Sequence, residues 1–189
     1  MITPGLEPED TVKSLTCEHS EQVSPGGAIH RNVLLRQNTF MTAISFRDAD
    51  KQNDFEFGKT VHHSAYREVV SRQFGSWDEL IQDGFFKEGW NRGPHKIILV
   101  GVIPVGIYSL AEHPDHLFFS EIQILPEYQG NGLGTKILKE QIQYAKSLGL
   151  PLRLQVLREN KAQELYLRLG FIVTGTTDTH IKMEWQDNN

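Results

Sequence analysis

The sequence predicts one α+β domain of mixed α/β composition, with a central, mostly antiparallel twisted sheet that contains one parallel strand pair and is flanked by helices. Three observations carry this. Two helical stretches come first, and at Pro94 the apolar period changes to β-prone runs at Ile97–Val102, Val105–Leu110 and Leu117–Leu125. The third run leads through the glycine-rich stretch IQILPEYQGNGLGT into a long helix and a further strand, Leu152–Leu157. The strands of that β-loop-α-β unit should be parallel, joined by a right-handed crossover.

Composition sets the bounds. A chain of 189 residues with 39% hydrophobic and 10% aromatic content suits one core and is short for two. A formal net charge of -5 argues against a general nucleic-acid or anionic-membrane binder. Cys17 is the single cysteine, which excludes an intramolecular disulfide and a thiolate zinc site and suits a reducing cytoplasm. There is no apolar run of membrane-spanning length. The start, MITPGLEPEDTVK, lacks the basic and apolar segments of a secretory signal, so cytoplasmic residence is expected.

Taken in order, residues 1–40 mix proline, glycine and polar residues without a period and read as a disordered or loosely attached tail, leaving residues 41–189 as the domain. Ala43–Phe46 is a short strand. Phe57, Val61, Ala65 and Val69, widened by Tyr66 and Val70, form the apolar stripe of a first helix that stops at Gly75. Ser76 and Glu79 have the spacing of a capping box, and Trp77, Leu80, Ile81 and Phe85 follow as the stripe of a second helix. EHPDH reads as a turn. After the glycine-rich loop, Ile137, Leu138, Ile142, Ala145 and Leu148 trace one helical face ended by Gly149 and Pro151. Asn160 caps a short helix with Gln163 completing a capping-box-like pair, and HIKMEW is a half-buried closing strand after the turn TGTTDT.

The glycine-rich loop reads as an anion cradle, because Gly130, Gly132 and Gly134 let a ligand approach the backbone at a helix N-terminus. It is not a nucleotide-triphosphatase loop, since Lys136 is followed by Ile137 rather than Ser or Thr. Nor is it a dinucleotide fingerprint, whose third glycine would fall on Thr135. Gln129-x-x-Gly132-x-Gly134, after Pro126 and an apolar strand, instead resembles the acetyl-CoA motif of the GNAT superfamily of N-acetyltransferases. Asn160-x-Ala162-x-x-Leu165-Tyr166-x-x-x-Gly170-Phe171 resembles that family's later motif, in the expected order. The resemblance runs roughly from Ala43 to Trp185 and is strongest after Phe118.

It implies the GNAT fold, in which the parallel strands splay apart around acetyl-CoA (CoA). Backbone groups of Ile122, Gln123 and Ile124 would pair with the pantetheine arm. Backbone N–H groups of Gln129, Gly130, Asn131, Gly132, Leu133, Gly134 and Thr135 would hold the pyrophosphate, and Asn160 would contact the cofactor arm as well as cap its helix. Tyr166 is expected to protonate the leaving thiol, since a phenol is protonated at neutral pH. Glu121 is the candidate base, set against the plain reading of a solvated strand carboxylate. The implied activity is acetyl transfer to an amine acceptor, the rival being a catalytically silent acyl-CoA-binding module. Gln155 stands where the branch that acetylates ribosomal-protein N-termini often carries Glu, which weakens an N-terminal-amine acceptor. His62 and His63 point about 100° apart on their helix, a poor geometry for a joint metal site. The resemblance lets one of them, or Tyr66, face the acceptor groove, but surface residence is expected for each and no metal is assigned. Dimers are common in the family, so a homodimer is allowed.

Overall fold

The structure, a computed structural model, describes residues 43–187. The expected tail over residues 1–40 lies outside them. The chain runs β1 (Ile44–Asp48), α1 (Phe55–Phe74), α2 (Glu79–Arg92), β2 (His95–Val100), β3 (Ile103–Glu112), β4 (Leu117–Ile124), a 3-10 turn (Pro126–Tyr128), α3 (Leu133–Leu148), β5 (Leu152–Leu157), α4 (Ala162–Arg168), β6 (Ile172–Thr176) and β7 (His180–Trp185). Among the described residues seven strands form one sheet in the order β1-β2-β3-β4-β5-β7-β6. Every neighbouring pair is antiparallel except β4 and β5, which are parallel.

That parallel pair is short. Leu117, Phe118 and Phe119 align with Leu152, Arg153 and Leu154, and pairing then stops. On the other side of β4 the register with β3 shifts between Ser109 and Leu110, where Ser109 opposes Glu121 and Leu110 opposes Phe119. Ser120 is thus the extra residue of a bulge, and a bulge bends and twists the strand that carries it. The bend falls where β4 leaves β5, so the sheet opens into a gap.

Each face of the sheet carries its own core. Ile137, Leu138 and Ala145 of α3, with Tyr166 of α4 and Phe171, cover Tyr108, Leu117, Phe119, Leu152, Leu154 and Met183. On the opposite face Val61 of α1 and Phe86 and Trp90 of α2 cover Ile97 and Ile107. The two helices approach closely at Gly58, where a Cβ would stand 2.7 Å from the Trp90 ring. Farther along, Val69 and Val70 meet Leu157 at the end of β5, and Gln73 donates to the Thr179 carbonyl (2.9 Å). By these contacts α1 lies across the open end of the sheet.

Four local expectations are corrected. The cap of α2 is Asp78, whose side chain accepts from the Ile81 N–H (3.1 Å). Glu79 is instead held by Trp77 Nε1 (2.8 Å) and Arg67 (3.0 Å), so the Ser76–Glu79 box does not form. The buried face of α2 is Phe86 and Trp90, whose rings fill the space over Gly58, while Leu80, Ile81 and Phe85 are exposed. At α4, Asn160 Oδ1 accepts from the Ala162 N–H (2.9 Å). Gln163 there reaches the Leu157 and Arg158 carbonyls (3.2 and 2.6 Å) rather than the Asn160 N–H, which already donates to Leu157 (3.0 Å). Strand β2 also stops at Val100, because Gly101 turns at φ 65° and leaves Val102 exposed.

Candidate active site

The mouth of the gap is built by the loop after β4. The Gln129 N–H closes the 3-10 turn on the Pro126 carbonyl (3.1 Å), and its side chain donates to the Ile124 carbonyl (2.6 Å). Gln129 therefore shapes the loop with both its backbone N–H and its amide. Gly130 and Gly132 adopt φ of 76° and 78°, and a Cβ at either would meet open space. The first bond inside α3 runs from Lys136 N–H to Gly132 carbonyl (3.0 Å), so the N–H groups of Leu133, Gly134 and Thr135 are left for a partner outside the helix, at its positive end. Lys136 and Lys139 line an open groove of about 600 Å³ that begins at Gly132 and Thr135. Sequence reasoning passed over these lysines, because lysines on an exposed helix face are ordinary.

Within the gap the β4 backbone alternates. The Leu125 N–H donates to the Val105 carbonyl (2.9 Å), which by the antiparallel pattern turns the N–H and C=O of Gln123 toward β3 as well. Those of Ile122 and Ile124 face the unpaired side, where the Gln129 amide already holds the Ile124 carbonyl and the other groups are left free. Free peptide groups at the edge of an opened strand are a template for an extended, amide-bearing chain. Orphan N–H groups beside strain-free glycines fit a diphosphate, so the residues present suit the acetyl-CoA that the sequence implied.

Side chains of β4 that point to the other face build a buried polar chain. Glu121 Oε1 lies 2.5 Å from His95 Nε2, and Gln123 Nε2 donates to Glu121 Oε2 (2.8 Å). The same Gln123 amide stands 3.1 Å from His62 Nδ1. Behind His95, the Lys51 ammonium donates to the carbonyls of Trp90 and Gly93 and lies 3.1 Å from His95 Nδ1. A carboxylate can only accept, so His95 Nε2–H donates to Glu121, while Nδ1 lies between the Lys51 ammonium and the Gly93 carbonyl at 3.0 Å. The imidazole packs flat against Trp90, with ring centroids 4.7 Å apart. His95 has a side-chain exposure of 2%, and that of Glu121 is 18%, so the carboxylate keeps one open approach.

The expected surface residence of His62 and His63 is overturned. His62 is buried against Tyr66, its ring stacked at 5.0 Å, and α1 places it over Gln123. Desolvation lowers its pKa against the opposing pull of Glu121, which keeps it neutral with the proton on Nε2. His63 is tucked between Glu79 (3.1 Å) and Asp83 (2.9 Å) of α2. Burial pushes the Tyr66 hydroxyl up to about 12, with Glu121 adding to the rise. Tyr166 is buried beside Phe171, and desolvation, reinforced by Tyr66, holds its hydroxyl far above the ordinary phenol range. Tyr66 is thus electrostatically coupled to Glu121 and to Tyr166. No periodicity in the sequence could have joined Lys51, His62, His95 and Glu121, since each lies on a different element.

A gap between splayed parallel strands, with an anion-binding helix end at its mouth and titratable groups along its wall, is the architecture of an acyl-CoA-dependent transferase. Residues 61–171 match the model of the Acetyltransferase (GNAT) family, and the chain belongs to that family. It is accordingly an acetyl-CoA-dependent N-acetyltransferase. Among solved structures it is similar in fold to the PaiA N-acetyltransferase of Thermoplasma acidophilum in complex with coenzyme A, at 19% identity and a TM-score of 0.63 over 77% of this chain and 99% of that one. The ribosomal-protein-S18-alanine N-acetyltransferase of Escherichia coli aligns at 20% identity and TM-score 0.56, covering 76% of this chain and 94% of its own. The yncA protein of Salmonella typhimurium, determined with acetyl-CoA, aligns at 20% identity and TM-score 0.51, covering 78% and 96%.

Proposed function

We propose that the acceptor is a primary amine of a small molecule or a peptide, that Glu121 takes up its proton and that Tyr166 supplies one to the leaving thiol. The observation that carries this reading is the end of β4–β5 pairing at Phe119 and Leu154, which leaves Glu121 two residues inside the gap. Acetyl-CoA supplies the activated thioester. The peptide groups of Ile122 and the N–H of Ile124 suit its amide-bearing arm, the Ile124 carbonyl being held by Gln129, and Gly130 to Thr135 suit its diphosphate, with Asn160 expected to contact the arm. Gln123 is better used on Glu121 than on the cofactor.

An alkylammonium with a pKa of about 10.4 must lose a proton before its nitrogen can attack. The Glu121 carboxylate has about four lone-pair sites, of which His95 and Gln123 occupy two, so it retains capacity to accept that proton directly or through one water. The Tyr166 hydroxyl, kept protonated by its burial, is a donor rather than a base. Tyr166→Phe should lower kcat by about 100-fold while acetyl-CoA affinity stays within about twofold, read by steady-state kinetics and cofactor titration. Full turnover with unchanged affinity would remove the acid role.

The single Cys17 suits a reducing compartment and supports cytoplasmic residence. No helix among the described residues is long and apolar enough to cross a membrane. A homodimer rests on the family resemblance alone and is read by light scattering.

A further inference from the structure

Glu121 needs more than presence in the gap: its carboxylate must be held in one orientation, and besides Gln123 of its own strand the side chain that holds it is His95. His95 Nε2 meets Oε1 at 2.5 Å, from the first residue of β2. His95 cannot turn away. Its ring lies flat on Trp90 at 4.7 Å, and its Nδ1 faces the Lys51 ammonium at 3.1 Å. Lys51 is in turn fixed by the Trp90 and Gly93 carbonyls and stands over the Trp90 ring at 5.1 Å, while the Trp90 indole N–H donates back to the Lys51 carbonyl (2.9 Å). Four contacts therefore converge on one imidazole, from Glu121, the Trp90 ring, Lys51 and the Gly93 carbonyl (3.0 Å from Nδ1), and its Nε2–H is spent on Glu121. The remaining groups that face the carboxylate are Gln123 on its own strand and, through it, His62 and Tyr66 of α1.

We propose that His95, locked by Lys51 and Trp90, is a positioning residue that fixes the Glu121 carboxylate for proton uptake from the acceptor amine. This rests on the reading of Glu121 as the base. An imidazole stacked on Trp90, with Nδ1 between a fixed ammonium and the Gly93 carbonyl, is held in the orientation that keeps its Nε2–H on the carboxylate. That oriented donor leaves the opposite side of the carboxylate as the open face. A base displaced by about an ångström loses on the order of 100-fold in rate, so the effect falls on kcat rather than on binding.

The test is a double-mutant cycle in kcat on the full chain, between His95→Leu and Glu121→Gln, with thermal unfolding of each variant measured alongside. Glu121→Gln alone tests the base, and a variant with wild-type kcat overturns both that reading and the proposal. If Glu121→Gln is slow, His95→Leu is expected to reduce kcat by about 10- to 100-fold in the wild-type background and by less than about twofold in the Glu121→Gln background, with the KM for acetyl-CoA unchanged. An equal loss in both backgrounds shows a structural role and overturns the proposal while leaving the base intact, as does no loss in either. Where His95→Leu fails to fold, the pair His95→Gln and His95→Asn replaces it. Glutamine places an amide N–H near the former Nε2 and should restore most of kcat. Asparagine reaches only the Nδ1 position and should not. Equal kcat in the two would refute the positioning role.

Discussion

His62 is neutral in the native protein because loss of hydration outweighs the attraction of Glu121. In the unfolded chain it titrates near about 6.5. Between that value and its lower native one only the unfolded state binds the proton, so its contribution to stability is present above about pH 6.5 and is lost as pH falls toward the native value. Urea unfolding at pH 7.5 and 5.5 should therefore show a smaller drop in stability for His62→Gln than for the wild type, and equal drops would contradict the burial assigned to it. The sequence disclosed Tyr166 and Glu121 because each sits beside a local pattern, a helix motif and a strand leading into glycines. It could not disclose His62, His95 or Lys51, whose partners are brought up by tertiary packing, so a histidine on α1 read as a surface residue.

At the scale of elements, the loop and α3 N-terminus carry a contrast between two glycines. Gly132 has φ 78°, where any L side chain is strained although the space around it is open. Gly134 has ordinary helical φ, and a Cβ there would touch Leu165 and Ile124 at 3.7 and 3.8 Å, normal contact distances. Gly132→Ala should cost about 1–2 kcal/mol and weaken acetyl-CoA binding, whereas Gly134→Ala should leave both nearly unchanged, as measured by denaturant unfolding and cofactor titration. A reversed order of the two would contradict the geometry. The long elements α1, α3 and β4 were legible because their period persists for several turns or pleats. Helix α2 was legible in place but not in face: Leu80, Ile81 and Phe85 follow a helical spacing, yet the larger rings of Phe86 and Trp90 have Gly58 to pack on and take the interior.

For the whole molecule, the sheet of residues 44–185 is closed around its two faces of core, and the family match falls entirely inside it at residues 61–171. A chain starting at Met41 is accordingly expected to fold and to retain turnover, checked by thermal unfolding and activity. Loss of soluble protein would overturn that boundary. The parallel β4–β5 pair followed from the β-loop-α-β pattern, and its splay from the family resemblance. The insertion of β7 between β5 and β6 did not follow, since strand order at the end of the chain is set by which edge β7 finds rather than by any local signal. This opened sheet carries out acetyl transfer rather than cofactor binding alone. The most direct measurement is thiol release from acetyl-CoA by the full chain against a panel of primary amines, with the acetylated amine quantified by mass spectrometry. Equimolar thiol and acetylamine are expected with at least one amine; cofactor binding without turnover on any of them would contradict acetyl transfer.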